Sequence, residues 1–294
     1  MDIFSDERRR RVVPCTFRVR ERGNPVVLAQ HRNVTVTRAR ILWPREHGTY
    51  GELLFPLLAA LLLARPDQAA WALSLVAAGG FLAHEGLSVL VGTRGVRAQR
   101  DDRGVAWRSV VVFGGAALIA AAGALPALTS ATLGATGIAA SLSMASVAVA
   151  WFGREHTLAG ELMAVIALSS WCVPVGLAGG MALPVATALW LIWTAAFGLA
   201  TSAVHLVIAR RSPRLDHRAG AIGWLIGAAT PAALWMFVDA GHLPARALMI
   251  PIPAQALFLV LAAAPVRATH LRRIGWSVIG VSALTLALMA GAIP

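Results

Sequence analysis

The chain carries Arg45-Glu46-His47-Gly48-Thr49-Tyr50-Gly51-Glu52-Leu53, and the pattern recurs 109 residues later as Arg154-Glu155-His156-Thr157-Leu158-Ala159-Gly160-Glu161-Leu162. Six of the nine positions are identical without a gap: the Arg-Glu-His triplet and the Gly-Glu-Leu triplet. Each copy of this motif opens a long apolar segment, where polar groups are costly unless they are paired or used. The repetition predicts a membrane protein built from two related halves, with a site where the two copies meet.

The composition is that of a membrane protein. Hydrophobic residues occupy 57% of the 294 positions and charged residues only 14%, whereas a soluble domain carries about 25% charged residues. All 26 basic residues are arginine, and the formal net charge is +12. No aromatic-interleaved basic patch or known module accompanies that charge, so we expect no nucleic-acid partner. Two cysteines in unlike settings, Cys15 and Cys172, predict neither a disulfide framework nor a zinc site.

The chain divides into a polar tail and an apolar remainder. Residues 1–42 are arginine-rich and lack the apolar core of a signal peptide, so we predict a disordered cytoplasmic tail. Residues 43–294 are predicted as an all-α transmembrane domain of about nine helices, since a span needs about 20 apolar residues. Pro56 interrupts the first segment. The predicted spans are roughly 49–65, 69–91, 107–126, 130–151, 158–180, 185–209, 220–239, 245–264 and 274–293.

The arginines predict the orientation. With the N-terminus inside, the cytoplasmic segments hold 24 arginines, and the opposite side holds only Arg65 and Arg246. By the positive-inside rule, we expect a multi-pass protein of the inner (plasma) membrane with a cytoplasmic N-terminus. The cytoplasmic segments after the tail are roughly 92–108, 152–157, 210–219 and 265–273.

The motif spacing predicts an internal repeat. Four predicted spans separate the two copies, so both face the same side of the membrane. This arrangement is typical of a parallel repeat, here of four plus four helices with one added. The halves are about 43–150 and 151–264, and the last helix is 274–293. His84-Glu85 near the end of the second span and His205 near the end of the sixth agree with the repeat, because an arginine-rich loop follows each.

The candidate site combines both motif copies with these histidine-bearing helix ends. On a helix, His47, Tyr50 and Gly51 share one face, whereas Glu52 lies about 140° around the axis from His47. A site that uses both groups therefore needs both repeats. Gly51 and Gly160 would admit a neighbouring backbone. The candidate residues are Arg45, Glu46, His47, Glu52, Arg154, Glu155, His156, Glu161, His84, Glu85 and His205.

Three functional hypotheses compete with a structural one. The histidines and glutamates of both copies could bind a metal ion, although their spacing matches no known ligand signature, and we assign no metal site. Arg45, Arg154 and the loop arginines could hold a diphosphate or another anionic headgroup, because arginine matches phosphate geometry. The buried carboxylates could carry a cation or a proton in transport. In the structural hypothesis, Glu52 and Glu161 pair with Arg or His between the repeats and stabilise their packing.

The first motif carries a family resemblance. Pro44-Arg45-Glu46-His47-Gly48, followed by Glu52-Leu53-Leu54-Phe55-Pro56-Leu57-Leu58, resembles the start of the YwiC-like bacterial membrane proteins. Thr49-Tyr50 stands where Ala-Trp is typical of them, and Tyr50 keeps an aromatic ring. The segment from Phe197-Gly198-Leu199 to His205 and Arg210-Arg211 is similar to the second half of the family. The resemblance implies a polytopic membrane topology over most of residues 43–290.

A more distant, scaffold-level resemblance is to the UbiA-type intramembrane prenyltransferases, which hold isoprenyl diphosphate through Mg²⁺ and Asp-rich motifs at the ends of two helices. This chain has His84-Glu85 and His205 in those places, and Asp101-Asp102 and Asp216 lack the required spacing. If the protein is an enzyme, the resemblance implies a transferase without the usual Asp-rich motifs.

The leading functional hypothesis is therefore a YwiC-like protein that binds or processes an anionic or isoprenoid lipid-like molecule at its cytoplasmic face. The alternatives are a proton- or cation-coupled transporter and a non-catalytic membrane assembly factor that makes contact through its arginine-rich tail. The sequence does not identify a cofactor, and the expected partner is the lipid bilayer.

Overall fold

The computed structural model of the protein describes residues 47–210, 218–264 and 271–293. The predicted tail, Arg45 and Glu46 lie outside the described residues. Within them the secondary structure is helical, with no strand, as expected for apolar segments that must satisfy their own backbone groups in lipid. The α-helices are α1 His47–Leu63, α2 Gln68–Val91, α3 Val96–Ser109, α4 Gly115–Ala124, α5 Ser130–Trp151, α6 Leu158–Ser170, α7 Cys172–Ala178, α8 Leu183–Ala209, α9 Arg218–Asp239, α10 Ile252–Ala263 and α11 Leu271–Ala292.

The predicted polytopic all-α class is confirmed. In the described part of the chain, eight helical segments are long and apolar enough to cross a membrane, and a shorter apolar helix, Gly48–Leu63, precedes them. The 17 residues of α1 extend about 25 Å, less than the roughly 30 Å of a hydrocarbon core. Pro56 lies inside α1 and does not end it. The eight long segments are Gln68–Val91, Val96–Ala127, Ser130–Trp151, Leu158–Ala178, Leu183–Ala209, Arg218–Asp239, Ala245–Ala263 and Arg272–Ala292.

The predicted arginine-rich loop at 92–108 is largely helical. Only residues 92–95 connect α2 to the next helix, which then runs for 32 residues from Val96 to Ala127. This segment joins α3, a π-helical turn at Val110–Gly114, α4 and a 3₁₀ turn. The arginines of α3 give this segment the composition of a loop. They recur at the helical period, however, and the small residues Ala106 and Ser109 are buried on the opposite side of the helix.

The predicted span 158–180 is also interrupted. It consists of α6 and α7, which meet at Trp171. Pro174 lies three residues further on and has no N–H for the carbonyl of Ser170, the last residue of α6, so the regular hydrogen-bond ladder stops there.

Helix α8 lies at the centre of the packing. It contacts α1, α6, α7, α9 and α10. Within an apolar stretch of 18 residues, 56% of α8 is buried, against 6% for α5. The fully buried Trp193 of α8 stacks on Phe55 of α1 and on Phe197, with ring centroids 5.7 and 5.6 Å apart. These aromatic contacts attach α1, which carries the first motif copy, to the core.

Three arginines lie just beyond the C-terminal ends of helices. Arg94 follows α2, Arg154 follows α5, and Arg210 follows α8. Arg94 contacts Glu155 in the connection after α5, and Arg210 donates to the Leu261 carbonyl of α10. We call the region of Arg94, Arg154 and Arg210 the arginine-rich end. On the opposite side, the backbone N–H of Arg65 donates to the Gly179 carbonyl, and Arg246 Nε donates to the Ala292 carbonyl, both at 3.0 Å.

Candidate functional site

The Arg-Glu-His triplet of the second motif copy lies in a turn before α6. Gly153 adopts a left-handed conformation with φ of 67° and ends α5, and the Arg154 N–H donates to the Val149 carbonyl at 3.1 Å. This pair of features is a Schellman motif, which satisfies the last carbonyls of a helix. Thr157 then begins α6, because its Oγ1 accepts the Gly160 N–H at 3.1 Å. Arg154, Glu155 and His156 therefore occupy the α5–α6 turn.

The first copy has a different local structure. His47 is already the first described residue of α1, whereas its counterpart His156 precedes α6 by two residues. The aligned position after the histidine is Gly48 in one copy and Thr157 in the other, and only threonine offers a side-chain oxygen as an N-cap. The histidine of the triplet is therefore part of the helix in the first copy and precedes the helix in the second.

Gly160 permits the tight fold of the α5–α6 turn. A Cβ at this position would overlap with the carbonyl oxygen of Arg154 and lie 3.1 Å from that of Glu155. The predicted close approach of a backbone is thus present, but that backbone is the preceding turn. At Gly51 a Cβ would meet the Phe197 ring at 3.8 Å, an ordinary contact.

Arg94 links the two halves of the chain. It lies in the short α2–α3 connection, where Gly92 with φ of 90° ends α2. Its Nη2 donates to Glu85 Oε2 at 2.8 Å, and its Nη1 lies 3.5 Å from Glu155 Oε1. Glu85 is buried within α2, with 5% of its surface exposed. A buried carboxylate requires such a partner, and the same guanidinium attaches α2 to the α5–α6 turn.

Two histidines and a tyrosine surround this ion pair. The charges of Glu85, Arg94 and Glu155 all act on the partly buried imidazole of His84, and His156 Nε2 lies 3.4 Å from Glu155 Oε1. Tyr50 of α1 interacts electrostatically with Glu85 and packs edge-on against Phe81, with centroids 5.2 Å apart. We call the group the Arg94 cluster; its members are Tyr50, His84, Glu85, Arg94, Glu155 and His156.

A second polar pair joins α6 to α8. Glu161 lies in the first turn of α6, and its Oε2 is 2.9 Å from His205 Nε2, four residues before the end of α8. Both residues belong to the second half of the chain, so this pair does not connect the predicted repeats. An ion pair that does connect the two halves is the one between Arg94 and Glu155.

The described residues contain no group of three or more His, Cys, Asp or Glu side chains able to hold a metal ion. Glu52 is half-buried in α1, and the structure does not place it with His156 and Glu161 in such a group. The Arg94 cluster combines carboxylate, guanidinium and imidazole groups, and its central guanidinium lies between two carboxylates. Its two carboxylates share one guanidinium, so with neutral histidines its formal charge is −1.

The arginines of the arginine-rich end have different roles. Arg210 donates to the carbonyls of Leu261, Ala262 and Ala264, the last acceptors of α10, so it caps that helix. Arg154 is exposed, and its side chain has no ion-pair partner in the ranges that the structure covers. Arg94 was not among the site residues predicted from the sequence. The signal that could have identified it is its position in the chain between two glutamates near helix ends, Glu85 and Glu155.

The comparisons with known proteins agree with the resemblance noted in the sequence. The model of the YwiC-like protein family matches residues 43–176, which include both motif copies and the whole Arg94 cluster. The suspected YwiC-like resemblance is thereby confirmed over these residues. No curated protein and no solved structure matches the chain.

Proposed function

We propose that the protein binds an anionic, lipid-like molecule, such as an isoprenoid or another lipid with a phosphate or carboxylate group, at the α5–α6 turn. We further propose that this turn faces the cytoplasm, in line with the distribution of arginine between the two sides.

The observation that carries the proposal is the setting of Arg154. Arg154 is exposed and lines an open pocket together with Phe152, of which 77% is exposed. Trp151, of which 60% is exposed, is the last residue of α5. An amphipathic ligand needs these two chemistries together: a cation that matches phosphate bidentately and an apolar surface for the chain. Because Phe152 and Trp151 end an apolar helix, a ligand with its tail in the bilayer reaches Arg154 without leaving the membrane.

Arg94 weakens an electrostatic obstacle to anion binding at the α5–α6 turn. Glu155 follows Arg154 directly, and an uncompensated carboxylate there would repel an anion. Arg94 lies 3.5 Å from that carboxylate, so its charge is partly offset. The first N–H groups of α6 add partial positive charge to the same turn.

Transport of a proton or cation is the second candidate, and the Glu161–His205 pair favours it, because ionisable residues in membrane helices often carry protons. A transporter, however, needs a site near the middle of the bilayer that opens to both sides. In the described part of the chain, the ion pairs lie at the arginine-rich end, whereas the core around Trp193 and Leu189 of α8 is apolar. The lipid-like ligand is therefore the better supported of the two.

The test is native mass spectrometry of the intact protein, released from a mild detergent. We expect a retained lipid adduct that the Arg154→Gln variant loses and that Arg273→Gln, a change at an exposed arginine of α11, retains. An adduct equally present in both variants, or absent from the unmodified protein, would refute the proposal. Proton-driven uptake that disappears in a Glu52→Gln/Glu161→Gln variant would instead support transport.

A further inference from the structure

The exposed face of α3 carries arginines without an acidic partner among the described residues. Arg100, Arg103 and Arg108 are exposed, and none forms an ion pair with a residue that the structure describes. Only Arg97, at the start of the helix, lies near a carboxylate, with Nε 3.9 Å from Asp101 Oδ2 on the surface.

These arginines share one side of the helix. At 100° per residue, Arg100, Arg103 and Arg108 fall within an arc of about 140°, and Trp107 lies inside the same arc. The opposite side packs on α2, where Ala106 and Ser109 are buried. At Gly86 of α2 a Cβ would lie 2.7 Å from the Ala106 carbonyl oxygen, so the two helices are in close backbone contact. The packing therefore holds the basic side away from the bundle.

The length of the helical segment places this side at the membrane surface. Val96–Ala127 contains 32 residues, about 48 Å, whereas the hydrocarbon core is about 30 Å thick. Residues 107–127 suffice to cross the core, and Trp107, of which 61% is exposed, then lies at the interface that tryptophan prefers. Arg108 and Arg103 lie within about 6 Å of Trp107 along the axis, and Arg100 about 10 Å from it.

We infer that this face of α3 binds the headgroups of anionic phospholipids in the surrounding bilayer. Three like charges without counter-charges in the described part of the chain repel one another, and negatively charged headgroups at the same depth relieve that repulsion. The indole of Trp107 inserts beside them and holds the arginines at headgroup level. This inference does not depend on the ligand proposed for Arg154, because the two surfaces use different residues.

The experiment measures lipid selectivity. The full chain is reconstituted in phosphatidylcholine vesicles with spin-labelled phosphatidylglycerol or spin-labelled phosphatidylcholine, and electron paramagnetic resonance gives the motionally restricted fraction of each. We expect the unmodified protein to prefer phosphatidylglycerol and an Arg100→Gln/Arg103→Gln/Arg108→Gln variant to lose about fivefold or more of that preference. Raising the salt concentration should reduce the preference of the unmodified protein.

A matched pair compares Arg103→Gln/Arg108→Gln, inside the arc around Trp107, with Arg272→Gln/Arg273→Gln. The second variant removes the same charge from exposed positions of α11 and should keep most of the preference. Circular dichroism and gel filtration verify that both variants fold. An unchanged preference in the first variant, or an equal loss in both, would overturn the inference. Binding of a soluble polyglutamate peptide that only the first variant loses, with lipid preference unchanged, would assign the face to an acidic protein instead.

Discussion

Arg94 illustrates how one side chain determines the geometry of a site. Its guanidinium lies between Glu85 of α2 and Glu155 of the α5–α6 turn, at 2.8 and 3.5 Å. Glu85 is almost fully buried and would be an uncompensated charge without it. The arginine therefore stabilises a carboxylate and, at the same time, orders the turn that presents Arg154.

Replacement of Arg94 by glutamine should destabilise the protein by about 3 kcal/mol, because it leaves the buried charge of Glu85 unpaired. Thermal unfolding in detergent, followed by tryptophan fluorescence, measures the effect as a lower Tm. The matched control is Arg97→Gln in the same region, where the side chain is 97% exposed and the effect should be close to zero.

A double variant separates the effect of the unpaired Glu85 charge on stability from the effect of shortening the Arg94 side chain. Glu85→Gln added to Arg94→Gln removes the unpaired carboxylate and should recover part of the lost stability. If Arg94→Gln alone unfolds at the temperature of the unmodified protein, the ion pair does not contribute to stability and the explanation given for Glu85 is wrong.

The two motif copies show that a repeated sequence need not give a repeated local structure. One copy continues into α1 at His47, whereas the other forms a turn that Thr157 and Gly160 shape. The turn depends on a residue without a side chain, since any Cβ at Gly160 meets the carbonyl oxygen of Arg154.

Alanine at Gly160 should therefore destabilise the protein by about 1–3 kcal/mol, because the turn must shift to admit the methyl group. The same shift should displace Arg154 and weaken retention of the lipid adduct. Thermal unfolding and native mass spectrometry on one sample measure both effects.

Gly134 in α5 provides the matched control, because a Cβ there has no neighbour within 4 Å. Gly134→Ala should be neutral or stabilise the helix by up to about 1 kcal/mol through its better helix propensity. Equal Tm values for Gly160→Ala and Gly134→Ala would show that the crowding around Gly160 has no energetic consequence.

The helices were more predictable from sequence than the contacts between their ends. Runs of apolar residues identified the helical segments, and the charged residues among them pointed to Glu85, Glu155, Glu161 and His205. The pairing of Glu161 with His205 and of Glu85 with Arg94 depends on how distant helix ends pack, which no local pattern encodes. The start of α3 was missed because its arginines lower the mean hydropathy, although their period is helical.

The distribution of arginine over the molecule also has a local explanation. Of the two arginines predicted on the minority side, Arg246 donates to a terminal carbonyl of α11, and the backbone of Arg65 bonds to Gly179. Arg210 plays the same capping role for α10 at the arginine-rich end. Capping therefore accounts for some arginines, whereas the exposed ones, such as Arg97 and Arg103, are free to determine the orientation in the membrane.

The orientation itself leads to a prediction about accessibility from the two sides of the cell membrane. If the arginine-rich end is cytoplasmic, a cysteine at Arg97 should react with a membrane-impermeant maleimide only after permeabilisation, whereas a cysteine at His242, in the exposed turn after α9, should react in intact cells. Cys15→Ser supplies the background, since Cys172 is fully buried and does not compete for the reagent. The reverse pattern would place the arginines outside, against the positive-inside rule. Because the Arg94 cluster, Arg154 and the basic face of α3 all lie toward that end, such a result would also move the proposed lipid-like ligand from the cytoplasmic to the outer leaflet.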